Sequence, residues 1–347
     1  MAKSVKWGVI GLGSIANRVL KGFQATPPDA TQVVAVGSRN AAKAAAFAKT
    51  FGIPKSYDSY EGVIADKNVD LVYVALPNHL HKPWTLKAIA AGKHVLCEKP
   101  FAMNLKEAAE MVAAAKKKGV FLMEAFMYRC HPQMALIKET VRKGAIGQVR
   151  MIKAGFAYGG INDDNTRMAL AEGGGGLMDV GCYPVSFCRM VAGEDPVEVH
   201  CTGVLGKKSK VDEWAAGIMR FPGGAVAHFD CGMMVNTDWT ATIYGTLGRI
   251  HVTSPWIPEP NDAKLEITLD KDGKTKTVAV PAKHYFANEA ETVARCILGG
   301  KLQAEEMIWA DTLGNMNTLD ALRKSLGLAW PGEKKGTKPK GGSRRGQ

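Results

Sequence analysis

Lys99 stands where a lysine can reach a ligand. The apolar run Val95-Leu96-Cys97 predicts a buried strand, and Pro100 ends it because proline lacks the backbone donor that a sheet ladder needs. Open α/β sheets bind their ligands at the carboxyl ends of parallel strands, so Lys99 at that end could contact a substrate or cofactor. A solvated ion pair between Glu98 and Lys99 is the alternative that this segment leaves open.

A second pair of reactive side chains, Asp179 and Tyr183, follows the glycine run 173–176. Residues four apart share a face if one helical turn joins them. Pro184 makes that turn irregular, so a regular helix is expected to begin only near it. The four glycines indicate a backbone that passes close to a ligand or another chain. Taken alone, a first-turn carboxylate and a half-buried tyrosine would explain both side chains equally well.

A dinucleotide-binding turn stands at the start of the chain. The predicted strand Val5–Ile10 runs directly into Gly11-Leu12-Gly13-Ser14-Ile15-Ala16 and then into a helix. Gly11 permits the tight turn, Gly13 lets the backbone approach a pyrophosphate, and Ala16 is small enough to replace the third glycine of the fingerprint. Ser14 and Ile15 are therefore expected to contact the cofactor as well.

The second strand predicts which cofactor is bound. It ends in Gly37-Ser38-Arg39-Asn40, where an NAD site would usually carry an acid for the ribose 2′-hydroxyl. Ser38 and Arg39 suit a 2′-phosphate instead, so we expect NADP. NAD stays open if Arg39 stacks on the adenine or faces water.

The third strand, Asp70–Ala75, leads into a loop that begins at Leu76 and lies beside the glycine turn. Pro77, Asn78 and His81 in this loop could line the nicotinamide ribose, because loops at this edge carry function more often than others. Helix capping and packing are the alternative.

Strands alternate with helices up to residue 125, which predicts a parallel sheet with right-handed crossovers and an α/β fold class. After Gly147 strands follow one another with little helix, which predicts an α+β domain with a large, mostly antiparallel, open-faced sheet. We therefore expect a Rossmann dinucleotide-binding domain over 1–125, a substrate and oligomerisation domain over 126–330, and a disordered basic tail over 331–347.

Composition excludes several classes of protein. The net charge of +12 is partly concentrated in the tail, which carries six lysines and arginines against one glutamate, and no basic stripe interleaved with aromatics indicates nucleic-acid binding. Seven cysteines without a Cys-x-x-Cys pair indicate neither a disulfide framework nor a zinc site. No apolar run is long enough to span a membrane, and the early first strand leaves no room for a signal peptide, so we expect a cytoplasmic protein.

Four motifs resemble the Gfo/Idh/MocA oxidoreductase superfamily along nearly the whole chain apart from the tail. They are Leu76-Pro77-Asn78-His79-Leu80-His81, Glu98-Lys99-Pro100, the segment 124–132 (EAFMYRCHP) and the segment 173–184 (GGGGLMDVGCYP). Tyr183, where inositol dehydrogenases have histidine, is similar to the branch of NADP-dependent D-xylose dehydrogenases, dimeric dihydrodiol dehydrogenases and glucose-fructose oxidoreductase. In such relatives the Lys-Pro peptide bond is often cis.

The resemblance implies hydride transfer between a nicotinamide cofactor and a carbinol of a sugar, polyol or diol, without a metal. Tyr183 would be the general acid/base, and Lys99 would lower its pKa and polarise the reacting oxygen. Asp179 would orient the substrate or Lys99, Glu98 would hold the nicotinamide ribose, and Arg129 and Arg167 would bind polar groups of the substrate.

Two other functions remain open at this point: an enzyme that recycles a tightly held cofactor within one turnover, and a regulator that senses the dinucleotide without turnover. Relatives associate through the open sheet face, so a dimer or tetramer is expected. The alternating residues Ile243, Leu247 and Ile250 fit such a face.

Overall fold

A computed structural model describes residues 4–162, 164–258, 260, 263–270 and 273–333. These residues form two β-sheets with helices packed against them. The predicted disordered tail over 331–347 lies outside the described residues from 334 onward.

The first sheet has six parallel strands in the order β3-β2-β1-β4-β5-β6. Its strands are β1 (Val5–Ile10), β2 (Thr31–Gly37), β3 (Lys55–Tyr57), β4 (Leu71–Val74), β5 (His94–Glu98) and β6 (Leu122–Ala125). The connecting helices are α1 (Ser14–Ala25), α2 (Ala41–Phe51), α3 (Tyr60–Ala65), α4 (His81–Ala90) and α5 (Leu105–Lys118). This confirms the predicted Rossmann-type sheet, in which β1 and β4 are neighbours and their carboxyl ends face a common cleft.

The second sheet has eight strands in the order β14-β13-β12-β11-β7-β10-β9-β8. They are β7 (Val149–Ala157), β8 (Glu198–Leu205), β9 (Asp212–Arg220), β10 (Val226–Gly232), β11 (Ala241–Gly245), β12 (Gly248–Val252), β13 (Lys264–Leu269) and β14 (Thr275–Ala279). Only β7 and β10 pair in parallel, so the sheet is mostly antiparallel, as predicted. Helix α6 (Pro132–Arg142) precedes this sheet, and α7 (Cys182–Ala192) packs against β7.

The outward face of the second sheet carries apolar side chains at alternate positions. Cross-strand neighbours Tyr244, Met151 and Val226 are exposed there, as are Ile218 and Trp214 on β9. The expectation that Ile243 and Ile250 belong to this face was wrong, because both are fully buried on the opposite face. Ile243 and Ile250 are cross-strand partners and therefore share the buried face, whereas Leu247, in the turn between β11 and β12, is exposed.

The last two helices return to the first sheet. Helix α8 (Tyr285–Leu298) packs against α1, β1 and β2, and α9 (Trp309–Leu326) packs against α5, α7 and β8. Before α9, Ala304 and Met307 form an isolated bridge, and the Gln303 side chain accepts from the Trp309 amide. These helices join the two sheets along one side.

All seven cysteines are buried and free. The described residues contain no group of three or more His, Cys, Asp or Glu side chains placed to hold a metal ion. Within the same part of the chain, no helix combines the length and the apolar composition needed to cross a membrane.

Candidate active site

A cavity of about 690 Å³ lies between the two sheets. The first sheet contributes the turn after β1, the loop after β4 and the end of β5, and the second sheet contributes the end of β7 and the segment leading into α7. This volume is typical of a small-molecule or cofactor site.

The glycine turn leaves an open cradle at the start of α1. Gly11 has φ +89°, and a Cβ there would lie 2.3 Å from the Ala75 carbonyl oxygen, so only glycine fits. A Cβ on Gly13 would meet nothing within 4 Å, and α1 has no side chain that caps its first turn. Free amide groups and open space at a helix start suit a pyrophosphate, and Gly13, Ser14 and Ile15 line the cavity.

Ser38 and Arg39 lie at the end of β2, next to this turn. The Gly11 amide donates to the Gly37 carbonyl oxygen at 3.4 Å, which places the end of β2 against the glycine turn. The Ser38 hydroxyl accepts from the Asn40 amide at 3.2 Å, and Arg39 is exposed. No carboxylate occupies the 37–40 segment, so no acid is available there for a ribose 2′-hydroxyl. Binding of a 2′-phosphate at this end stays a prediction.

The loop after β4 contributes Leu76, Pro77 and Asn78 to the cavity, whereas His81 lies outside it. The His81 ring is fully buried, with its nitrogens 2.7 Å from the Leu76 carbonyl oxygen and 2.9 Å from that of Pro100. Burial lowers the pKa of His81 to about 4. The expectation that His81 contacts the cofactor was therefore wrong: the imidazole holds the two cavity loops together from behind.

Glu98 and Lys99 both line the cavity, and the Lys99–Pro100 peptide bond is cis, as the resemblance implied. Glu98 is buried and accepts a short hydrogen bond from the Tyr73 hydroxyl. Burial raises the pKa of Glu98, although Lys99 and Tyr73 oppose this. The Lys99 ammonium is directed across the cleft to the second domain.

Asp179 is a buried carboxylate that pairs with two cationic side chains of the site. Its Oδ1 lies 3.2 Å from Lys99 Nζ and 2.9 Å from Arg167 Nε, and its Oδ2 accepts from the Tyr158 hydroxyl at 2.5 Å. The Asp179 carbonyl oxygen also accepts from Lys99 Nζ at 2.5 Å. Burial alone would raise the pKa of Asp179, but Lys99 and Arg167 hold it well below its usual range. Asp179 therefore carries its charge at neutral pH.

Tyr183 lies beside this cluster, with its hydroxyl 3.5 Å from Met127 Sδ and the Lys99 Nζ 5.2 Å from its ring centroid. The ring is packed edge-on against Phe126 and Phe156, at 5.2 Å between centroids in each case. Burial raises the pKa of Tyr183, and the neighbouring Cys182 and Glu98 add to this. The tyrosine is therefore a neutral phenol unless a positive charge stabilises its anion.

The segment that carries Asp179 and Tyr183 is held by a buried carboxylate from β9. Residues Leu177–Gly181 form a π-helical turn before α7, which confirms the predicted irregularity. The Leu177 amide donates to Asp212 Oδ2 at 2.6 Å, and burial raises the pKa of Asp212 to about 7.

The glycine run passes close to several neighbours. A Cβ on Gly175 would lie 2.2 Å from Asp212 Oδ1, one on Gly174 would lie 2.2 Å from the Arg167 carbonyl oxygen, and one on Gly173 would lie 2.4 Å from Met103 Sδ. The run is thus explained by close approach within the chain itself, and Gly174 also lines the cavity.

Arg129 lies outside the cavity, so its expected role in substrate binding was wrong. The side chain is buried and paired with Asp311 at 2.5 Å, and it also donates to the Ser186 hydroxyl at 3.1 Å. Arg129 thus links the turn 127–130 to Ser186 on α7 and to Asp311 on α9.

Sequence reasoning missed Arg18, Tyr158 and the aromatic pair Phe156 and Trp239, all of which line the cavity. Arg18 follows the glycine motif by one turn, which is a signal that could have identified it. Phe156 and Trp239 come from distant segments and become neighbours only in the folded protein.

Comparison with known proteins agrees with this geometry. Residues 5–126 match the model described as "Oxidoreductase family, NAD-binding Rossmann fold", and residues 134–251 match the "GFO/IDH/MocA C-terminal domain". Mouse trans-1,2-dihydrobenzene-1,2-diol dehydrogenase is 34% identical over 344 residues, covering 96% of this chain and all of that protein.

Two solved structures are similar at a TM-score of 0.85. A 3-ketoreductase from Actinomadura kijaniata, in complex with NADP and TDP-benzene, is 28% identical and covers 93% of this chain and 98% of its own. The same enzyme was also solved with a tyrosine replaced by phenylalanine and with a lysine replaced by alanine. An aldose-aldose oxidoreductase from Caulobacter crescentus is 27% identical and covers 93% of this chain and 97% of its own. On these matches and on its two-sheet fold, the chain belongs to the Gfo/Idh/MocA oxidoreductase family.

Proposed function

We propose that the protein is an NADP-dependent oxidoreductase that transfers hydride between the nicotinamide and a carbinol carbon of a sugar, polyol or diol. The observation that carries this proposal is the meeting of Lys99, Asp179 and Tyr183 in one cavity that also opens on the glycine turn. A cation, a paired carboxylate and a phenol beside a dinucleotide cradle provide what is needed to move one proton while a hydride moves.

The cofactor would be held by Gly11, Gly13, Ser14 and Ile15 at its pyrophosphate and by Ser38 and Arg39 at its adenosine 2′-phosphate. Leu76, Pro77, Asn78 and Glu98 would line its nicotinamide half. When bound, the nicotinamide ring supplies the site that accepts or donates the hydride.

In the oxidation direction the carbinol carbon would lose a hydride to the bound nicotinamide. The hydroxyl proton of the substrate would pass to Tyr183 Oη in its phenolate form, which then becomes a neutral phenol. Lys99 donates a hydrogen bond to the reacting oxygen of the substrate and stabilises the negative charge that develops on it. Asp179 keeps Lys99 charged and directed across the cleft, through the 3.2 Å contact between them. In the reduction direction Tyr183 returns the proton, and its raised pKa keeps the phenol protonated before that transfer.

The substrate region suits a ring with several hydroxyl groups. Phe156 and Trp239 pack at 5.0 Å between centroids, and the Trp239 indole nitrogen donates to the Ala157 carbonyl oxygen, so that N–H is already engaged within the chain. Arg167 reaches the cavity beside them. Flat apolar faces next to polar groups match cyclic sugars and diols, and the related dihydrodiol dehydrogenases and aldose-aldose oxidoreductase act on such molecules by their names.

A substrate screen tests this function. Sugars, polyols and cyclic diols are incubated with NADP, and ketones with NADPH, while the nicotinamide absorbance is followed. We expect turnover of at least one cyclic polyol or diol and a loss of at least about 100-fold in the Tyr183→Phe variant, as for removal of an acid/base group. An active Tyr183→Phe enzyme would contradict the assigned role, and failure of the whole screen would favour a dinucleotide-sensing regulator.

A second candidate is an enzyme that keeps its cofactor through both half-reactions. Asn78 Nδ2 donates to the Gly173 carbonyl oxygen at 2.8 Å, which ties the cofactor loop of the first domain to the glycine run of the second. Such a bridge across the cleft would slow the release of a bound dinucleotide. NADP released on denaturing the purified protein, in near-equal amount to the chain, would support this candidate, whereas cofactor-free protein would exclude it.

The exposed apolar face of the second sheet supports association of two copies. Met151, Ile218 and Tyr244 lie on this face, and a homodimer would bury them. Ile218→Glu should convert a dimer to a monomer in light scattering. A wild-type protein that is already monomeric would contradict this proposal.

A further inference from the structure

Two buried carboxylates of the described residues line the cavity, and their charges are balanced differently. Asp179 Oδ1 pairs with Lys99 and Arg167, at 3.2 Å and 2.9 Å. Glu98 has no lysine or arginine of the described residues within ion-pair distance. A buried negative charge without a cation is costly, so Glu98 either binds a proton or meets a positive charge that a ligand brings.

Glu98 is held by a phenol from the interior of the first sheet. The Tyr73 hydroxyl donates to Glu98 Oε1, and the Lys99 amide donates to Glu98 Oε2 at 3.3 Å. Tyr73 lies on β4 and is buried outside the cavity, whereas Glu98, at the end of β5, lines it. Tyr73 therefore acts on Glu98 from inside the fold.

The position of the Tyr73 phenol is fixed by packing. Its ring centroid lies 5.9 Å from that of Trp7, a buried residue of β1. Strand β4 lies between β1 and β5, so Tyr73 stands beside the strand that ends in Glu98. A buried ring on a central strand has little freedom to move, so its hydroxyl holds Glu98 in one place.

The hydrogen bonds of Glu98 match an ionised carboxylate. Both oxygens accept, one from Tyr73 and one from the Lys99 amide, and neither has to donate. A carboxylate can accept about four hydrogen bonds, so about two remain after these. They are available to donors in the cavity, such as the hydroxyl groups of a ribose.

We propose that Tyr73 is a positioning residue for the cofactor: it holds Glu98 as a carboxylate on the cavity wall, where this charge favours the oxidised nicotinamide over the reduced one. The inference rests on the proposed function, in which Glu98 lines the nicotinamide half. A nicotinamide ring is positive when oxidised and neutral when reduced, so a nearby carboxylate that no cation balances stabilises the oxidised form. Asp179 is less suited to this role, because Lys99 and Arg167 already balance its charge.

The electrostatics of the pocket agree with this geometry. Burial raises the pKa of Glu98, and the charge of Lys99 and the hydrogen bond from Tyr73 limit the rise. Loss of the Tyr73 hydroxyl would therefore favour a protonated, neutral Glu98. The titratable groups that interact electrostatically with Glu98 are Tyr73 on β4, Cys97 on β5, Lys99, Arg167, Tyr183, Arg18 on α1 and Glu289 on α8. Burial, with Glu98 adding to it, raises the pKa of Glu289, which favours a neutral Glu289.

The test compares the affinities for the two oxidation states of the cofactor. NADP and NADPH are titrated into the full-length protein by isothermal titration calorimetry, which needs no substrate and no turnover. Tyr73→Phe removes the hydroxyl and keeps the ring against Trp7, Glu98→Gln removes the charge, and a double variant combines both changes. Tyr57→Phe is the matched control, because the Tyr57 hydroxyl donates to Asp66 Oδ2 at 3.0 Å and both residues lie outside the cavity. Urea unfolding checks that each variant is folded.

We expect Tyr73→Phe to weaken NADP binding by at least about 10-fold and NADPH binding by less than about 3-fold, as for the loss of a hydrogen bond to a charged group. Glu98→Gln should shift the ratio of the two affinities in the same direction, and the double variant should shift it no further. Tyr57→Phe should leave both affinities unchanged. Unchanged affinities in Tyr73→Phe, equal losses for both nucleotides, or a shift that adds to that of Glu98→Gln would overturn the proposal and leave Tyr73 a packing residue. A wild type that binds neither nucleotide would refute the proposed function itself, and this inference with it.

Discussion

The ion pair between Lys99 and Asp179 allows a prediction of stability. Its two side chains are 12% and 11% exposed, and Lys99 Nζ lies 3.2 Å from Asp179 Oδ1. Two unit charges at this separation interact by about 5 kcal/mol at an effective dielectric of about 20. Removing one partner of a buried pair costs about 3–5 kcal/mol, because the other charge stays buried. We expect Asp179→Asn to lower the free energy of unfolding by about 3 kcal/mol.

The pH dependence of this loss has a definite sign. Burial lowers the pKa of Lys99, and the Asp179 carboxylate more than offsets this, so the pKa of Lys99 is raised. In Asp179→Asn the largest effect that raises the pKa of Lys99 is lost, while burial and Arg167 still lower it. The folded variant then binds fewer protons than folded wild type at alkaline pH. The deficit relative to wild type should therefore shrink as the pH rises above neutrality.

A double-mutant cycle measured by urea unfolding, with tryptophan fluorescence as the signal, isolates the pair. Lys99→Met combined with Asp179→Asn should be more stable than Asp179→Asn alone, with a coupling energy of about 2–3 kcal/mol. The exposed pair Lys87 and Glu61, 2.8 Å apart, serves as a matched control and should couple by less than about 1 kcal/mol. If the losses of unfolding free energy in Lys99→Met and Asp179→Asn simply add, with a coupling energy no larger than that of the control pair, the reasoning is refuted.

Two further predictions concern the cofactor and the segment that carries the reactive residues. Arg39→Leu should weaken NADPH binding by at least about 10-fold while NADH binding stays unchanged, since only NADPH carries the 2′-phosphate; equal affinities of the wild type for both, measured by tryptophan fluorescence, would contradict this. Asp212 has a pKa of about 7 in the folded protein, so its carboxyl binds more protons when folded, and its contribution to stability falls by on the order of 4 kcal/mol as the pH rises from about 4 to 7. Asp212→Asn should flatten that slope in urea unfolding, and an unchanged slope would show that Asp212 is not its source.

Much of the fold could be predicted from periodicity alone. The parallel sheet followed from long apolar strands separated by helices, and the second sheet from closely spaced strands with turn residues. The three-residue strand Lys55–Tyr57 was missed because it is short and mostly exposed. Two of the three residues assigned to the outward face of the second sheet, Ile243 and Ile250, lie on the buried face, because alternation gives two faces and only packing decides which one is covered.

The candidate site was predictable only where chemistry is tied to a local motif. Gly11, Gly13, Lys99 and Tyr183 stand in such motifs, and all of them except Gly11 line the cavity. Arg129 stands in a motif too, but its pairing with Asp311 depends on a helix 182 residues away, which the local sequence does not encode. Similarly, the sequence places His81 in the cofactor loop, but its burial beneath that loop follows from tertiary packing and cannot be read from the local motif.

The most direct test of the central claim compares cofactor affinity and turnover in Lys99→Met. The side chain is replaced by one of similar length without the charge, and NADP affinity is titrated alongside turnover with the best substrate of the screen. The account predicts an affinity within a few-fold of wild type and a turnover at least about 100-fold lower, because Lys99 acts on the reacting oxygen rather than on the dinucleotide. Turnover within a few-fold of wild type would contradict it.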